Sequence, residues 1–289
     1  QAEDGIRDRS PSRGLGDVYK RQAQDLPAFL ALIDPGQLPV EGVANWSNGW
    51  LPALYQGTVI RPREPRILNL QAPHRLAGRV QEKYLSYLKR LNARHLQTRP
   101  SELDLSARIA SYQLAARMQT SARGALDISG ETKATQEMYG IHEKPTRDYG
   151  TRCLIARRLV ERGVRFVNIV HASWDQHGDL KHDLAWNCQM ADQPVAALLR
   201  DLKSRGMLDE TLLVFTGEFG RTPFSQEGMG RDHDPFGFSI WMAGGGIQGG
   251  RVHGATDEFG YRAVEDVATV YDLWATVLHQ LGIDHERLT

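Results

Sequence analysis

The sequence has few cysteines, no excess of charge and no long apolar run, and each absence excludes a class of protein. Its two cysteines, Cys153 and Cys188, are too few for a disulfide scaffold and form no CxxC pair. The 35 basic residues are matched by 35 acidic ones, so neither nucleic acid nor an anionic membrane is expected as a partner. No stretch approaches the roughly 20 consecutive apolar residues that span a bilayer. What remains is an ordinary globular composition.

Several catalytic motifs are also missing. The sequence contains no GxSxG elbow, no GxxxxGK[ST] loop and no HExxH, which disfavours a serine hydrolase, a P-loop NTPase and a zincin. Gly244, Gly246 and Gly249 match GxGxxG in form. Since no helix is predicted directly after them, no helix N-terminus is available to hold a pyrophosphate, and we interpret these glycines as a tight turn.

The two ends of the chain differ in character from the rest. Residues 1–22 are dense in Arg, Asp and Gly and have no apolar periodicity, so we expect a non-native, linker-like stretch that is disordered. Residues 23–289 are expected to form one α/β domain fragment, with a helical insertion at about 80–147. The chain ends just after a predicted amphipathic helix, and we expect it to be truncated at both ends.

The second half of the sequence alternates between helical and strand patterns. Helices are predicted at 149–162, 183–205 and 264–280, and strands at 164–170, 211–216 and 238–243. Alternation of this kind predicts a three-layer α/β/α domain with a mainly parallel sheet. In such sheets the chemistry lies at the carboxyl ends of the strands.

Acidic and imidazole side chains follow these strands. Their types are the oxygen and nitrogen ligands that suit a divalent ion such as Zn or Mn. The candidate metal ligands are Asp175, His177, Glu218, Asp232 and His233. Arg221 is the candidate catalytic residue because its guanidinium could hold an anionic substrate by a forked hydrogen bond; a salt bridge within its own turn is the alternative.

Three segments carry a family resemblance. The segments that resemble the bacterial family called domain of unknown function 1501 are VNIVHASWDQHGDLKHD, DQPVAALLRDLKSRGMLDETLLVFTGEFGRTP and GRDHDPFGFSIWMAGGGIQGGRVHGATDEFG. That family is similar in fold to alkaline phosphatases and sulfatases. The resemblance implies that Asp175 and His177 stand where the superfamily has one pair of metal ligands, and that His233 is the last metal histidine. Glu218 and Phe219 replace an Asp-His pair, so one imidazole ligand is absent.

The resemblance also implies a function. It suggests an exported metal-dependent hydrolase of phosphate or sulfate esters, acting on a small molecule or a glycan ester, with its signal and nucleophile on segments outside this chain. We therefore expect little activity from the chain by itself. The alternative is a non-catalytic exported module that binds carbohydrate or is structural. Phe219 favours this alternative, as do three loop aromatics that are expected to be exposed: Trp46, Trp50 and Tyr55.

Overall fold

The computed structural model describes residues 23–68 and 70–287, so residues 1–22, predicted to be linker-like, lie outside the described part. These residues group into two compact units. The first contains 23–172 and Gln193–Val195, and the second contains Ser173–Asp192 and 196–287. Each unit has its own sheets, and the candidate ligands all belong to the second.

The first unit is built on a small parallel sheet. Its strands are β1 (Phe29–Leu32), β2 (Thr58–Ile60) and β3 (Phe166–Ile169), in the order β2-β1-β3. Leu30 pairs with Thr58 on one side and Val167 on the other. Leu30 and Leu32 are each 1% exposed, which explains why β1 reads as a continuous apolar run instead of an alternating one.

Four α-helices belong to the described part of the first unit. They are α1 (Arg79–Gln97), α2 (Leu103–Leu126), α3 (Lys133–Met138) and α4 (Arg147–Glu161). The predicted helical pair at 80–120 is therefore present as α1 and α2. Met118 and Ala122 of α2 share one hydrophobic cluster with Leu30 of β1 and with Ile155 and Leu159 of α4. Helix α2 thus helps to form the core that covers the sheet.

The long loops before α1 contain short 3-10 turns at Gly42–Trp46, Ala53–Tyr55 and His74–Leu76. Trp50 is 93% exposed and Tyr55 is 55% exposed, as expected. Trp46 is only 2% exposed, so its predicted position at the surface is wrong. The backbone carbonyl of Trp46 accepts a hydrogen bond from Gly57 N, and a Cβ added at Gly57 would lie 2.9 Å from the Cβ of Trp46. The loop therefore packs closely against itself at Trp46.

A buried ion pair joins the end of β1 to helix α4, and the same carboxylate contacts the chain just after β3. Asp34, two residues beyond β1, places Oδ2 2.9 Å from Arg152 Nη2 of α4. The same oxygen accepts a hydrogen bond of 3.3 Å from Ala172 N, just after β3. Both charged side chains are nearly inaccessible, at 3% for Arg152 and 11% for Asp34. Since a buried charge must be paired, this contact fixes the chain where the two strands end.

The second unit contains two α-helices in the described part, α5 (Leu180–Ser204, apart from its residues Gln193–Val195) and α6 (Val270–Gln280). Its strands are short and lie between them: β4 (Leu212–Phe215), β5 (Gly220–Arg221), β6 (His233–Asp234), β7 (Trp241–Gly244), β8 (Ala255–Thr256) and β9 (Ala263–Glu265). They form the antiparallel pairs β4-β7, β5-β6 and β8-β9. Further 3-10 turns occur at Leu208–Glu210 and His285–Arg287.

Two expectations about this region need correction. The strand predicted at 238–243 was expected to extend a mainly parallel sheet, but β7 pairs with β4 in the antiparallel direction. No helix lies between these strands, and a parallel connection normally requires a helical crossover. The last helix was predicted to begin at Val264, which instead lies in β9. The helix begins after Thr269, whose side chain and that of Asp272 form a reciprocal capping box.

The chain is thus a mixed α/β protein with a small parallel sheet. In the described part of the chain, no helix combines the length and the apolar character needed to cross a membrane.

Candidate metal centre

Three of the candidate ligands meet at one point in the second unit. Asp175, His177 and His233 each offer a donor atom within 4.8 Å of the others. Asp175 Oδ1 lies 2.9 Å from His177 Nε2 and 3.0 Å from His233 Nε2, and the two Nε2 atoms are 3.0 Å apart. The first two residues come from the loop after β3, and the third comes from β6. The structure therefore brings together side chains that are more than 50 residues apart in sequence.

The three donor atoms form a nearly equilateral triangle with edges of 2.9 to 3.0 Å. Bonds of about 2.0 to 2.1 Å to a tetrahedral zinc would place its ligand atoms about 3.3 Å apart. The observed triangle is slightly tighter than that and needs only a small outward movement. The residues present therefore fit a divalent ion with three protein ligands and one open position.

Backbone contacts hold the two ligand-bearing loops together. Arg231 N donates to Gln176 O at 3.0 Å, and Leu180 N donates to Met229 O at 3.2 Å. Gly230 lies between these contacts, and a Cβ there would be 1.8 Å from the carbonyl oxygen of His177. Only glycine permits this close approach, so Gly230 allows His177 and His233 to face each other.

Gln226 orients His177. Its Oε1 lies 2.6 Å from His177 Nδ1. A carbonyl oxygen can only accept, so Nδ1 is the donor and a neutral imidazole then carries its lone pair on Nε2, toward Asp175 and His233. The hydrogen bond with Gln226, together with the negative charge of Asp175, raises the pKa of His177 above its ordinary value although desolvation opposes this. Sequence reasoning missed Gln226, since no spacing pattern connects it with His177.

Arg221 joins the same cluster. Its Nη1 is 2.7 Å from Asp175 Oδ1, while its Nη2 is 3.4 Å from Glu218 Oε1 and donates to Trp174 O at 3.2 Å. Burial would raise the pKa of Asp175, but hydrogen bonds from His233 and Arg221 hold it below its ordinary value. Asp175 is therefore a carboxylate at neutral pH and can serve as an anionic ligand.

Glu218 and Asp232 lie outside the three-residue group. The Glu218 carboxylate faces Arg221, and Asp232 Oδ1 accepts a hydrogen bond of 2.7 Å from His233 N. Asp232 N in turn donates to Thr222 Oγ1 at 3.1 Å, which fixes the start of β6. Phe219 packs its ring 4.3 Å from the His233 ring, between centroids, and Arg221 lies over the same phenyl ring. In this structure Glu218 and Asp232 support the residues of the cluster.

Fold and site together define a mixed α/β protein that carries an acid and imidazole cluster on closely joined loops. The chain belongs to a family described as protein of unknown function (DUF1501), whose profile matches residues 10–289. The match begins inside the stretch 1–22. A search of the curated proteins found no match, and a search of the solved structures found none either.

Proposed function

We propose that Asp175, His177 and His233 bind a divalent cation, Zn or Mn, and that the protein is a hydrolase of phosphate or sulfate esters. The observation that supports this is the triangle of one carboxylate oxygen and two imidazole nitrogens. Mixed oxygen and nitrogen ligands suit these ions, and three protein ligands leave a position for substrate. A bound ion would polarise the ester oxygen and offset negative charge in the transition state.

The surrounding side chains have separate roles in this proposal. Gln226 holds His177 with its Nε2 lone pair toward the cluster. Arg221 contacts the same Asp175 oxygen, Oδ1, that both histidines contact. If an ion were held by Asp175, the guanidinium of Arg221 would be available to bind a phosphate or sulfate oxygen through its forked donors. Glu218 limits how far Arg221 moves because it lies beside Nη2. We also propose that the protein has an alkaline phosphatase-like three-layer fold and that it is exported.

Metal analysis tests the binding step. After dialysis against Zn²⁺ or Mn²⁺, we expect one ion per chain, measured by mass spectrometry of the metal content. Asp175→Ala, His177→Ala and His233→Ala each remove one of three ligands, so each should weaken binding at least about a hundredfold. Asp183→Ala and His182→Ala are matched controls, since this exposed pair lies at the start of α5 with no link to the cluster. Equal metal content in wild type and the three cluster variants would end the proposal.

Turnover tests the chemistry. The full-length protein with Zn²⁺ or Mn²⁺ added should hydrolyse 4-nitrophenyl phosphate or 4-nitrophenyl sulfate, and chelation should abolish this activity. Arg221→Lys keeps the charge but loses the forked donors, so its KM for the anionic substrate should rise. If the protein retains metal but hydrolyses neither ester, the metal-binding part of the proposal stands and the hydrolase part is contradicted.

The alternative is a non-catalytic module that binds carbohydrate through its loops. The exposure of Trp50 and Tyr55 favours it, since aromatic faces pack against sugars. The burial of Trp46 removes one of its three aromatics. Sugar binding that is lost in Trp50→Ala, in a protein that retains no metal, would support this alternative.

A further inference from the structure

A row of aromatic rings and one guanidinium lies on the surface of the second unit. Phe224 packs against Tyr261 with 6.1 Å between ring centroids. Arg262 places its guanidinium carbon 5.5 Å from the centre of the Tyr261 ring and 5.0 Å from that of Phe236. Phe224 is 59% exposed and Phe236 is 56% exposed. Two open aromatic faces therefore accompany one cation.

The loop that supplies Tyr261 and Arg262 is held in place by Asp257. Its Oδ1 accepts hydrogen bonds from Phe259 N and Tyr261 N at 3.1 and 2.9 Å, and its Oδ2 accepts one from Arg262 N at 3.1 Å. Ala263 N also donates to Phe236 O at 2.9 Å. These bonds fix the position of the aromatic row before any ligand arrives. Asp257 lies in the segment GATDEFG, to which the metal centre gives no role.

The guanidinium of Arg262 contacts aromatic rings and forms no ion pair within the described residues. Among the residues that the structure describes, no carboxylate lies within ion-pair distance of its guanidinium, which contacts the two rings instead. A guanidinium that stacks on aromatic faces keeps its in-plane donors free for an anion. The row thus combines the guanidinium donors of Arg262, which can bind an anion, with the apolar faces of aromatic rings.

The row lies close to the candidate metal centre along the chain. Phe224 is three residues after Arg221, and Phe236 is three residues after His233. Three residues span at most about 10 Å of extended chain. The backbones of Phe224 and Phe236 therefore lie within about 10 Å of those of Arg221 and His233.

We propose that Phe224, Tyr261, Arg262 and Phe236 form a subsite for an anionic sugar unit of the substrate. This inference deepens the proposed function and rests on it for its biological meaning. A sugar ring packs an apolar face on an aromatic ring while its hydroxyl groups stay in water, which suits Phe224 and Phe236, whose side chains are more than half exposed. An aryl group would favour an enclosed apolar pocket. Arg262 holds the anionic substituent of the sugar.

Binding to chelator-treated protein tests the subsite without metal or turnover. The probes are glucose 6-sulfate, glucose, inorganic sulfate and phenyl sulfate, and calorimetry or saturation-transfer NMR measures their affinities. We expect glucose 6-sulfate to bind more tightly than the other three. Arg262→Gln should weaken its binding about tenfold, since a charged hydrogen bond is lost. Phe224→Ala should weaken it about fivefold, since a ring face is lost.

Two controls come from the same unit. Arg251→Gln removes an exposed cation, and Phe259→Ala removes a ring that is 71% exposed but lies outside the row. Both should bind glucose 6-sulfate like wild type, and thermal unfolding should show that all four variants are folded. Inorganic sulfate binding as tightly as glucose 6-sulfate would overturn the proposal, as would tighter binding of phenyl sulfate or an unaltered Phe224→Ala. Failure of the metal and turnover tests would leave this result unaffected, so the two failures are distinguishable.

Discussion

At the scale of single residues, the candidate centre depends on which nitrogen of His177 carries the proton. Two imidazole nitrogens and a carboxylate oxygen lie within 3.0 Å of one another. A divalent ion would need both imidazole Nε2 atoms deprotonated, because metal ligands bind in their deprotonated form. The contact with Gln226 fits this requirement, since Nδ1 is then the donor and Nε2 the ligand atom.

Gln226 therefore provides a prediction. Gln226→Ala should lower Zn²⁺ affinity by about 10- to 100-fold, because His177 loses the partner that fixes its tautomer and ring orientation. Competition with a chromophoric chelator measures the affinity. Gln248→Ala, at an exposed position of the same unit, is the control and should bind like wild type. Unchanged affinity in Gln226→Ala would show that His177 is oriented by other contacts.

The two cysteines differ in reactivity. Cys153 in α4 is fully buried, and burial raises the pKa of its thiol to about 12. Cys188 in α5 is exposed. We expect iodoacetamide to alkylate Cys188 in the folded protein and Cys153 only after unfolding, since the thiolate is the reactive form. Peptide mass spectrometry before and after denaturation measures this. Rapid labelling of Cys153 in the folded state would contradict its position in the core.

At the scale of elements, the ion pairs of Glu131 tie α4 to the turn between α2 and α3. Glu131 Oε1 lies 2.8 Å from Arg157 Nη2 and also contacts Arg158. Arg157 is 2% exposed and Glu131 is 8% exposed. Arg158 Nε donates to Ala125 O at 3.0 Å, so the same contacts reach the end of α2. Helix α4 is thus joined to the turn by the Glu131 carboxylate and to the end of α2 by Arg158.

Removal of that charge should be costly. Glu131→Gln removes the buried anion that Arg157 and Arg158 share, although Arg157 keeps its contact with Glu161, and should lower the free energy of unfolding by about 3 kcal/mol. Chemical denaturation measures the change. Glu137→Gln breaks an exposed pair with Lys133, where side chains are 58% and 85% exposed, and should change stability by less than about 0.5 kcal/mol. Similar effects of the two substitutions would show that burial does not strengthen the Glu131 pairs.

The elements also show how far sequence patterns reach. Apolar spacing at 80–120 predicted α1 and α2, and Gly163 marked the end of α4 one residue late. The direction of β7 does not follow from apolar spacing, because strand direction depends on the connection; the lack of a predicted helix between 216 and 238 was the signal for an antiparallel pair. Val264 was misassigned because an apolar residue before a helix resembles its first turn until the cap at Thr269 is identified.

At the scale of the whole molecule, acid should destabilise the protein. Burial, followed by the positive charge of Arg152, lowers the pKa of His171 from 6.5 to about 4. Between these values the unfolded chain binds a proton at His171 that the folded chain does not. The free energy of unfolding therefore falls as the pH falls through this window. Hydrogen bonds from Arg158 and Arg157 outweigh burial and lower the pKa of Glu131, so further stability is lost below the ordinary carboxyl range.

His171→Phe isolates the first part of this effect. The substitution keeps a ring that can stack on Tyr149, whose centroid lies 4.6 Å from that of His171, but it cannot titrate. Denaturant unfolding followed from pH 6.5 to about 4 should show a smaller loss of stability in the variant than in wild type. Parallel curves for the two proteins would mean that His171 does not contribute to acid sensitivity.

The sequence by itself determined which residue types follow each strand, where most helices lie and which side chains are candidates for metal binding. These features depend on local spacing, which a linear pattern records. Only the tertiary structure decided that Asp175, His177 and His233 converge, that Gln226 and Arg221 contact them, and that Trp46 is buried. Those relations depend on loops meeting across more than 50 residues of chain, and contacts such as Gly230 against His177 exist only once the backbone is folded.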